Sequence, residues 1–260
     1  MPAAPFTRWR RIGFAAVLVL LAAEAGTLAA RGLNLGLDFT GGVLVEASRQ
    51  TPFDPGALRA GLTAAGLPDA SVQTADGGTT ALIRAQSGGV DALAAAREAL
   101  GPDASVRSQS AVGPKVSGEL LRSGALACLA AVSAISVYIW LRFEARFAIA
   151  AFLTTLNDVA MLVGFFAVTG VTFDLTSIAA LLAIAGYSIN DTVVVFDRVR
   201  DTVARNPGAP LDGLIDRAIT DTLRRTLMTS GTTLVTTVAL MIFGGPVLFG
   251  FAAAVSFGIV

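Results

Sequence analysis

Hydrophobic residues in this chain fall into six long blocks separated by polar connections. The blocks are Gly13 to Ala30, Leu120 to Leu141, Phe147 to Thr169, Leu175 to Phe196, Thr226 to Phe243 and Val247 to Val260. A helix needs about 20 apolar residues to cross a hydrocarbon layer of roughly 30 Å. The pattern therefore predicts a membrane α-helical bundle of six spans. The last block is short, and we expect it to continue beyond Val260 rather than to form a re-entrant segment.

The first block could be either a retained helix or a secretory signal. Arg8, Arg10 and Arg11 precede it, as the charged region of a signal would. The apolar run is long for a signal core, however, and it contains Glu24. It leads through Arg31 without a clear small-x-small cleavage site. We therefore expect residues 1–31 to hold the N-terminus and an uncleaved first span.

Residues 32–117 have the composition of a soluble domain, inserted between the first two spans. Short apolar stretches alternate in a βαββαβ order, which favours a ferredoxin-like α+β sandwich. Asp76, Gly77 and Gly78 stand where a hairpin turn needs positive φ. The predicted strands are Val43–Ser48, Ser71–Ala75, Thr79–Ala85 and Ser105–Ser110, and the predicted helices are Asp54–Ala65 and Val90–Leu100.

Composition agrees with a membrane protein and excludes several kinds of site. Of the 260 residues, 54% are hydrophobic, above the about 45–50% usual for soluble domains. The net charge of zero gives no reason to expect a nucleic-acid partner. Histidine is absent and Cys128 is the only cysteine, so we expect no disulfide, metal site or cofactor. Neither a phosphate-binding loop nor a nucleophile–base set occurs, so we do not expect an enzyme.

Arginine distribution predicts the orientation of residues 118–260. Arg142 and Arg146 fall on the same side as the N-terminal arginines, as do the arginines of the 198–225 connection. By the positive-inside rule that side is cytoplasmic, and residues 32–117 then lie in the periplasm. Residues 198–225 carry an amphipathic stripe, which suits a helix lying in the membrane interface or a helix packed on the ends of the bundle.

Ionisable side chains inside the apolar blocks are the candidates for chemistry. Asp191 lies beside Asn190 in GYSINDTVVVFDR, and a charge within the bilayer needs a partner, water or a proton. Arg225 and Thr229, four residues apart in LRRTLMTSGTT, share one face of the next helix. An Asp191–Arg225 pair that breaks and reforms would switch the carboxyl between proton donor and acceptor, with Thr229 as a relay. The alternative is a static pair between helices.

Two further acids are less specific. Asp158 follows Asn157 near the middle of the third span, where a relay role and a simple hydrogen bond to a neighbouring helix are equally compatible with the sequence. Glu24 in the first span is better explained by helix packing or by the lipid interface. The candidate proton-relay set is therefore Asp191, Arg225, Thr229, Asn190 and Asp158.

Three stretches resemble the SecF branch of the SecD/SecF family, which belongs to the resistance-nodulation-division superfamily. They are GLNLGLDFTGGVLVE, QSAVGPKVSGELL, and the pair GYSINDTVVVFDRVRD with TLRRTLMTSGTTL. The resemblance implies that Asp191 is the proton-carrying aspartate and that Arg225 and Thr229 are its partners. One departure is Asn157-Asp158, where many members have His-Asp, and this weakens Asp158 as a relay residue.

The resemblance also implies a function. Such a subunit pairs with SecD beside the SecYEG channel, with YajC and YidC as further partners, in the bacterial inner membrane. It uses the proton-motive force to help unfolded preprotein leave on the outer side. Two alternatives are a proton-driven small-molecule or lipid transporter, for which the outer connections are short, and a non-conducting membrane scaffold, in which Asp191 would be replaceable.

Overall fold

The computed structural model describes residues 5–68, 70–85 and 91–260, which form two compact units. One unit contains the residues up to Asn34 together with Leu126–Val260, and the other is Leu35–Ala125. A 3-10 turn at Phe6–Trp9 precedes the first helix. In chain order the elements are α1 Arg10–Arg31, α2 Leu37–Thr40, β1 Gly42–Ser48, α3 Pro55–Ala64, β2 Ser71–Ala75, β3 Thr80–Ala85, α4 Ala92–Leu100, β4 Ser105–Val112, α5 Pro114–Arg142, α6 Ala145–Thr169, α7 Leu175–Arg205, α8 Leu211–Phe243 and α9 Gly245–Ile259.

Within the described residues, five helices are long and apolar enough to cross a membrane, namely α1, α5, α6, α7 and α8. A sixth apolar helix, α9, has 15 residues. In the helical unit α6 packs against α1 and α7, while α7, α8 and α9 pack against one another. Large apolar side chains cover much of the outer surface, for example Leu129, Leu141 and Phe243. Such a surface suits lipid, because contiguous apolar area of this extent is rare on soluble monomers.

Residues 198–225 are not a separate helix in the interface. Helix α7 continues to Arg205, and α8 begins at Leu211 after a five-residue connection at 206–210. No proline interrupts residues 211–243, so the amphipathic turns run on into the apolar part of the same helix. Leu214, Ala218 and Thr222 recur every four residues and are all buried. One side of these turns therefore packs on protein, whereas Leu211 and Leu223 of the stripe are exposed, and both alternatives that the sequence left open stay predictions.

The N-terminal turn is attached to the beginning of α8. The backbone N–H and the hydroxyl of Thr7 donate to the two carboxylate oxygens of Asp216, at 2.8 and 3.0 Å. Arg10 also donates to Asp212 at 2.9 Å, in a pair that is more than half exposed and contributes little to stability. The two hydrogen bonds to Asp216 therefore fix the start of α1 beside the amphipathic turns of α8.

The second unit contains a four-stranded antiparallel sheet in the order β2-β3-β1-β4. All four strands and both longer helices occur where the alternation of apolar residues predicts them. Val43, Val45 and Ala47 on β1 oppose Ala85, Ile83 and Ala81 on β3, and together they form the buried face. Helices α3 and α4 cover this face with residues such as Leu62 and Ala96. The predicted start of α4, Val90, lies outside the described residues.

Glycines set the two sharpest turns of this unit. Gly77 and Gly78 have φ of 68° and 93°, which confirms the positive φ expected at the β2–β3 turn. Asp76 also has a positive φ, of 53°, and its carboxylate accepts a hydrogen bond from Thr80. Before β1, Gly41 and Gly42 have φ of 71° and 121°. A side chain would be strained at both positions, so the two glycines let α2 pass directly into the sheet.

Candidate functional site

Three helices carry the five candidate relay residues. Asp158 lies on α6, Asn190 and Asp191 on α7, and Arg225 and Thr229 on α8. A capping box fixes the start of α7: the Asp174 side chain accepts from the Ser177 N–H, and the Ser177 hydroxyl accepts from the Asp174 N–H. Because α7 packs against both α6 and α8, it lies between the acid of α6 and the base of α8.

Asp191 is half-buried, and its nearest polar partner is its neighbour. The Asn190 amide donates to Asp191 Oδ1 at 3.5 Å, the outer limit of a hydrogen bond. In the part of the chain that the structure describes, the Arg225 guanidinium makes no ion pair and no hydrogen bond. The Thr229 hydroxyl donates back to the carbonyls of Thr226 and Arg225, at 2.9 and 3.2 Å. Among the described residues Asp191 thus forms no hydrogen bond or ion pair with Arg225 or Thr229, and the roles of all three stay predictions.

The bond that the structure does form is between Asp158 and Ser188. The Ser188 hydroxyl of α7 donates to Asp158 Oδ2 at 2.5 Å, and the Asn157 amide donates to Oδ1 at 3.2 Å. Both carboxylate oxygens of Asp158 are therefore engaged, one of them across the α6–α7 interface. This geometry corresponds to the interhelical hydrogen bond that the sequence left open beside a relay role. Ser188 is the residue that sequence reasoning did not assign, although its place one turn before Asp191 was a signal.

A second hydrogen bond at the same level joins α7 to α8. The Thr233 hydroxyl donates to the Tyr187 hydroxyl at 3.3 Å. Tyr187 and Ser188 are adjacent, so α7 bonds to α8 through one residue and to α6 through the next. We call Asp158, Ser188, Tyr187 and Thr233 the polar layer. Asp191 lies about one turn beyond this layer, toward the C-terminal end of α7.

Polar side chains also remain on the surface of α7 and α8. Tyr187 is 43% exposed, and Asn190, Thr232 and Thr236 are exposed as well. All four lie on helices long and apolar enough to span a membrane. The Thr232 and Thr236 hydroxyls bond to carbonyls of their own helix, whereas the Asn190 amide makes only one hydrogen bond, at 3.5 Å. Because hydrocarbon cannot satisfy an amide, we expect the surface around Asn190 to contact protein or water.

Two ion pairs join α5, α7 and α8 on the C-terminal side of Asp191 in α7. Arg198 on α7 donates to Asp221 on α8 at 2.6 Å, and Arg142 on α5 donates to Asp197 on α7 at 3.3 Å. Nearby, Phe143, Phe147 and Phe196 form an aromatic cluster with centroids 5.1 to 6.5 Å apart. The pairs are between 36% and 51% exposed, so each contributes only about 0–1 kcal/mol to stability. They orient α5 and α8 relative to α7 rather than supply much stability.

Two other expectations concern Glu24 and metals. Glu24 on α1 lies directly against Gly164 on α6, in agreement with a helix-packing position, and its Oε2 atom is buried without a hydrogen-bond partner. Among the described residues there is no group of three or more Cys, Asp or Glu side chains that could hold a metal ion.

Comparison with known proteins matches both the N-terminal motif and the helical region. Residues 26–52 match the SecD/SecF GG motif, which includes Gly41 and Gly42. Residues 92–260 match the C-terminal region of the protein export membrane proteins SecD/SecF. The chain belongs to the SecD/SecF family. It is 41% identical to the protein translocase subunit SecF of Cereibacter sphaeroides over 99% of this chain and 82% of that protein. It is 39% identical to SecF of Desulfurispirillum indicum over 98% of this chain and 86% of that protein.

Solved structures agree on the fold. The chain superposes on SecDF of Thermus thermophilus, a translocon-associated membrane protein, with a TM-score of 0.89 and 35% identity. It also matches SecDF in a super-membrane-facing form, with a TM-score of 0.73 and 35% identity. The chain covers 36% of the length of each of these SecDF chains. This SecD/SecF chain thus spans about a third of the length of those solved SecDF chains.

Proposed function

We propose that this chain is the SecF-type subunit of a proton-driven accessory unit of the Sec translocase, which promotes the late stage of preprotein export. The observation that carries the proposal is the half-buried Asp191, one turn from the polar layer and on a helix that packs against the helix of Arg225. The close relation to translocase subunits supports it. We propose an accessory rather than an enzymatic role, since the site offers proton exchange and no nucleophile.

We propose that the proton switch consists of Asp191 and Arg225, with Thr229 and Asn190 beside them and Asp158 as a positioning residue. A charged Asp191 attracts Arg225, and a protonated one releases it, so protonation changes how α7 and α8 pack. Among the described residues Arg225 has no ion-pair partner, as the proposal expects of the state in which Asp191 is protonated. One charge crossing 100 mV is worth about 2.3 kcal/mol, enough to bias such an equilibrium.

The exposed polar face of α7 and α8 supports a membrane partner. The Thr232 and Thr236 hydroxyls bond to carbonyls of their own helix, but the exposed Asn190 amide makes one long hydrogen bond, to Asp191, and its remaining polar groups would be costly to place in lipid. We propose that SecD covers this face, as the larger solved SecDF chains suggest. Contacts with SecYEG, YajC, YidC and unfolded preprotein would then be made by the assembled unit.

We further propose a topology and a domain type. The chain would lie in the bacterial inner membrane with a cytoplasmic N-terminus, because the arginines cluster at one end of the spans. Helix α9 would be the sixth span. The βαββαβ order and the antiparallel β2-β3-β1-β4 sheet support a ferredoxin-like domain, which would face the periplasm.

The test replaces Asp191 by Asn, which keeps the size of the side chain but removes titration. Proteoliposomes with SecYEG, SecD and Asp191→Asn should lose the gradient-dependent part of preprotein export while SecD still co-purifies. The matched control is Asp212→Asn, which removes one carboxylate from an exposed pair on α8 and should export normally. Arg225→Lys keeps the charge but loses the planar fork, so partial export is expected.

Full gradient-driven export by Asp191→Asn would end the proton-switch proposal and favour a scaffold. Loss of export by both Asp191→Asn and Asp212→Asn to the same extent would show a general effect of charge removal and would also contradict it.

A further inference from the structure

A charged cleft lies where α7 and α8 leave the apolar part of the helical unit. Its volume is about 620 Å³, within the usual range for ligand pockets. Its lining includes four arginines and two aspartates, which are Arg198, Arg200, Arg205, Arg225, Asp197 and Asp201. The lining residues therefore carry a net positive charge.

The acidic groups in and around the cleft are already neutralised. Asp197 accepts from Arg142, which lies on α5 outside the lining. Asp201 accepts from Arg205 at 2.8 Å, and Arg198 donates to Asp221 on α8 at 2.6 Å. Each of the three aspartates thus has an arginine of its own.

Two guanidinium groups remain uncompensated. In the described part of the chain, Arg200 and Arg225 make no ion pair and no hydrogen bond, and both are exposed at the cleft. A guanidinium presents planar N–H donors in a fork that matches the oxygens of a phosphate group. The cleft is thus suited to an anion with several oxygens.

The position of the cleft along the spans, at the end of the apolar block, favours a lipid as the source of that anion. Val193 and Val194 line one wall, and they belong to the apolar block that ends at Phe196. The arginines follow directly after this block, at the level where the span would meet the headgroups. Basic pockets between spans at this level are suited to anionic lipid headgroups. A soluble anion would gain nothing from the two valines, whereas a lipid could lay its glycerol and upper acyl chain against them.

We propose that this cleft binds the phosphate of an anionic phospholipid, with Arg200 and Arg225 as its ligands and Val193 and Val194 in contact with the glycerol region. Lipid binding can be measured apart from the proposed proton switch, because it needs neither a gradient nor export. Arg225 takes part in both, so the test is made at Arg200.

The experiment measures phosphatidylglycerol bound to the purified chain in neutral detergent, by native mass spectrometry over a lipid titration. Arg200→Gln should weaken binding roughly fivefold to tenfold, as expected for one lost charge-assisted contact. Arg200→Lys keeps the charge but loses the planar guanidinium donors, so its lipid affinity should lie between that of Arg200→Gln and that of the unmodified chain. The matched control is Arg217→Gln, which removes an exposed arginine of α8 outside the cleft and should bind as the unmodified chain does. Far-UV circular dichroism verifies that each variant keeps its helical content.

Three outcomes would overturn the proposal. Equal binding of phosphatidylcholine would show that the cleft does not select an anionic lipid. Equal losses in Arg200→Gln and Arg217→Gln would show attraction by general surface charge. Displacement of the lipid by millimolar inorganic phosphate would identify a soluble phosphate as the ligand instead.

Discussion

Gly164 on α6 lies directly against the Glu24 side chain of α1, and this contact allows a quantitative test of the helix packing. A Cβ atom at position 164 would overlap Glu24 at Cδ, and Cγ and Oε2 would lie only 2.5 Å away. Because Cγ is close to the root of the side chain, rotation of the carboxyl alone cannot relieve the overlap. Gly164→Ala should therefore force either a new Glu24 rotamer or a shift of α1 relative to α6.

The expected free-energy change has two opposing parts. Overpacking of this kind costs about 1–3 kcal/mol, whereas replacing glycine by alanine within a helix gains about 1 kcal/mol. Gly164→Ala alone should therefore change the free energy of unfolding by about 0–2 kcal/mol, in the destabilising direction. In a Glu24→Ala background the overlap is absent, so the same substitution should stabilise the helix by up to about 1 kcal/mol.

A double-mutant cycle separates the two parts. Unfolding by SDS in mixed micelles, followed by far-UV circular dichroism, would give the four free energies, and the expected coupling is about 1–3 kcal/mol. Gly26→Ala on α1 is the matched control, because a Cβ there meets nothing within 4 Å, and its effect should be the same in both backgrounds. If Gly164→Ala changed stability equally with and without Glu24, α1 would not dock on α6 through this contact.

Two further predictions test the polar layer and the topology. Ser188→Ala should destabilise the α6–α7 contact by about 1–3 kcal/mol in the same SDS assay, because Asp158 Oδ2 loses the hydrogen bond from the Ser188 hydroxyl, and an unchanged stability would contradict this. In a Cys128-free background, single cysteines at the exposed positions Gln73 and Ala209 should react with an impermeant thiol reagent from opposite sides of the membrane, and labelling from one side alone would refute the topology.

Some candidate site residues could be found from sequence, but their contacts could not. Asp191 was identifiable because a carboxylate within an apolar block is costly anywhere in a bilayer. Asp158 bonds to Ser188, and the Thr229 hydroxyl bonds to carbonyls of its own helix. Both contacts depend on how α6, α7 and α8 are rotated about their axes, which the sequence does not show. Residue spacing shows which side chains share a face of one helix, but it does not show which faces of two helices pack together.

The length of α7 and α8 shows a similar limit. The sequence distinguished apolar blocks from the amphipathic connection, but it did not show that the helices run through both. The backbone hydrogen bonds of a helix are made within the helix itself, so one helix can run from lipid into water or protein without a break.

Local signals alone determined the secondary structure of the inserted unit and the existence of the long apolar helices. Period-two alternation, glycines at positive φ and block length act over a few residues, so they are readable without the fold. Tertiary structure decided which charges are neutralised. Asp197, Asp201 and Asp221 each pair with an arginine, while Arg200 and Arg225 pair with no carboxylate among the described residues. Electrostatic pairing depends on distances of a few ångströms between separate helices, and only packing fixes those distances.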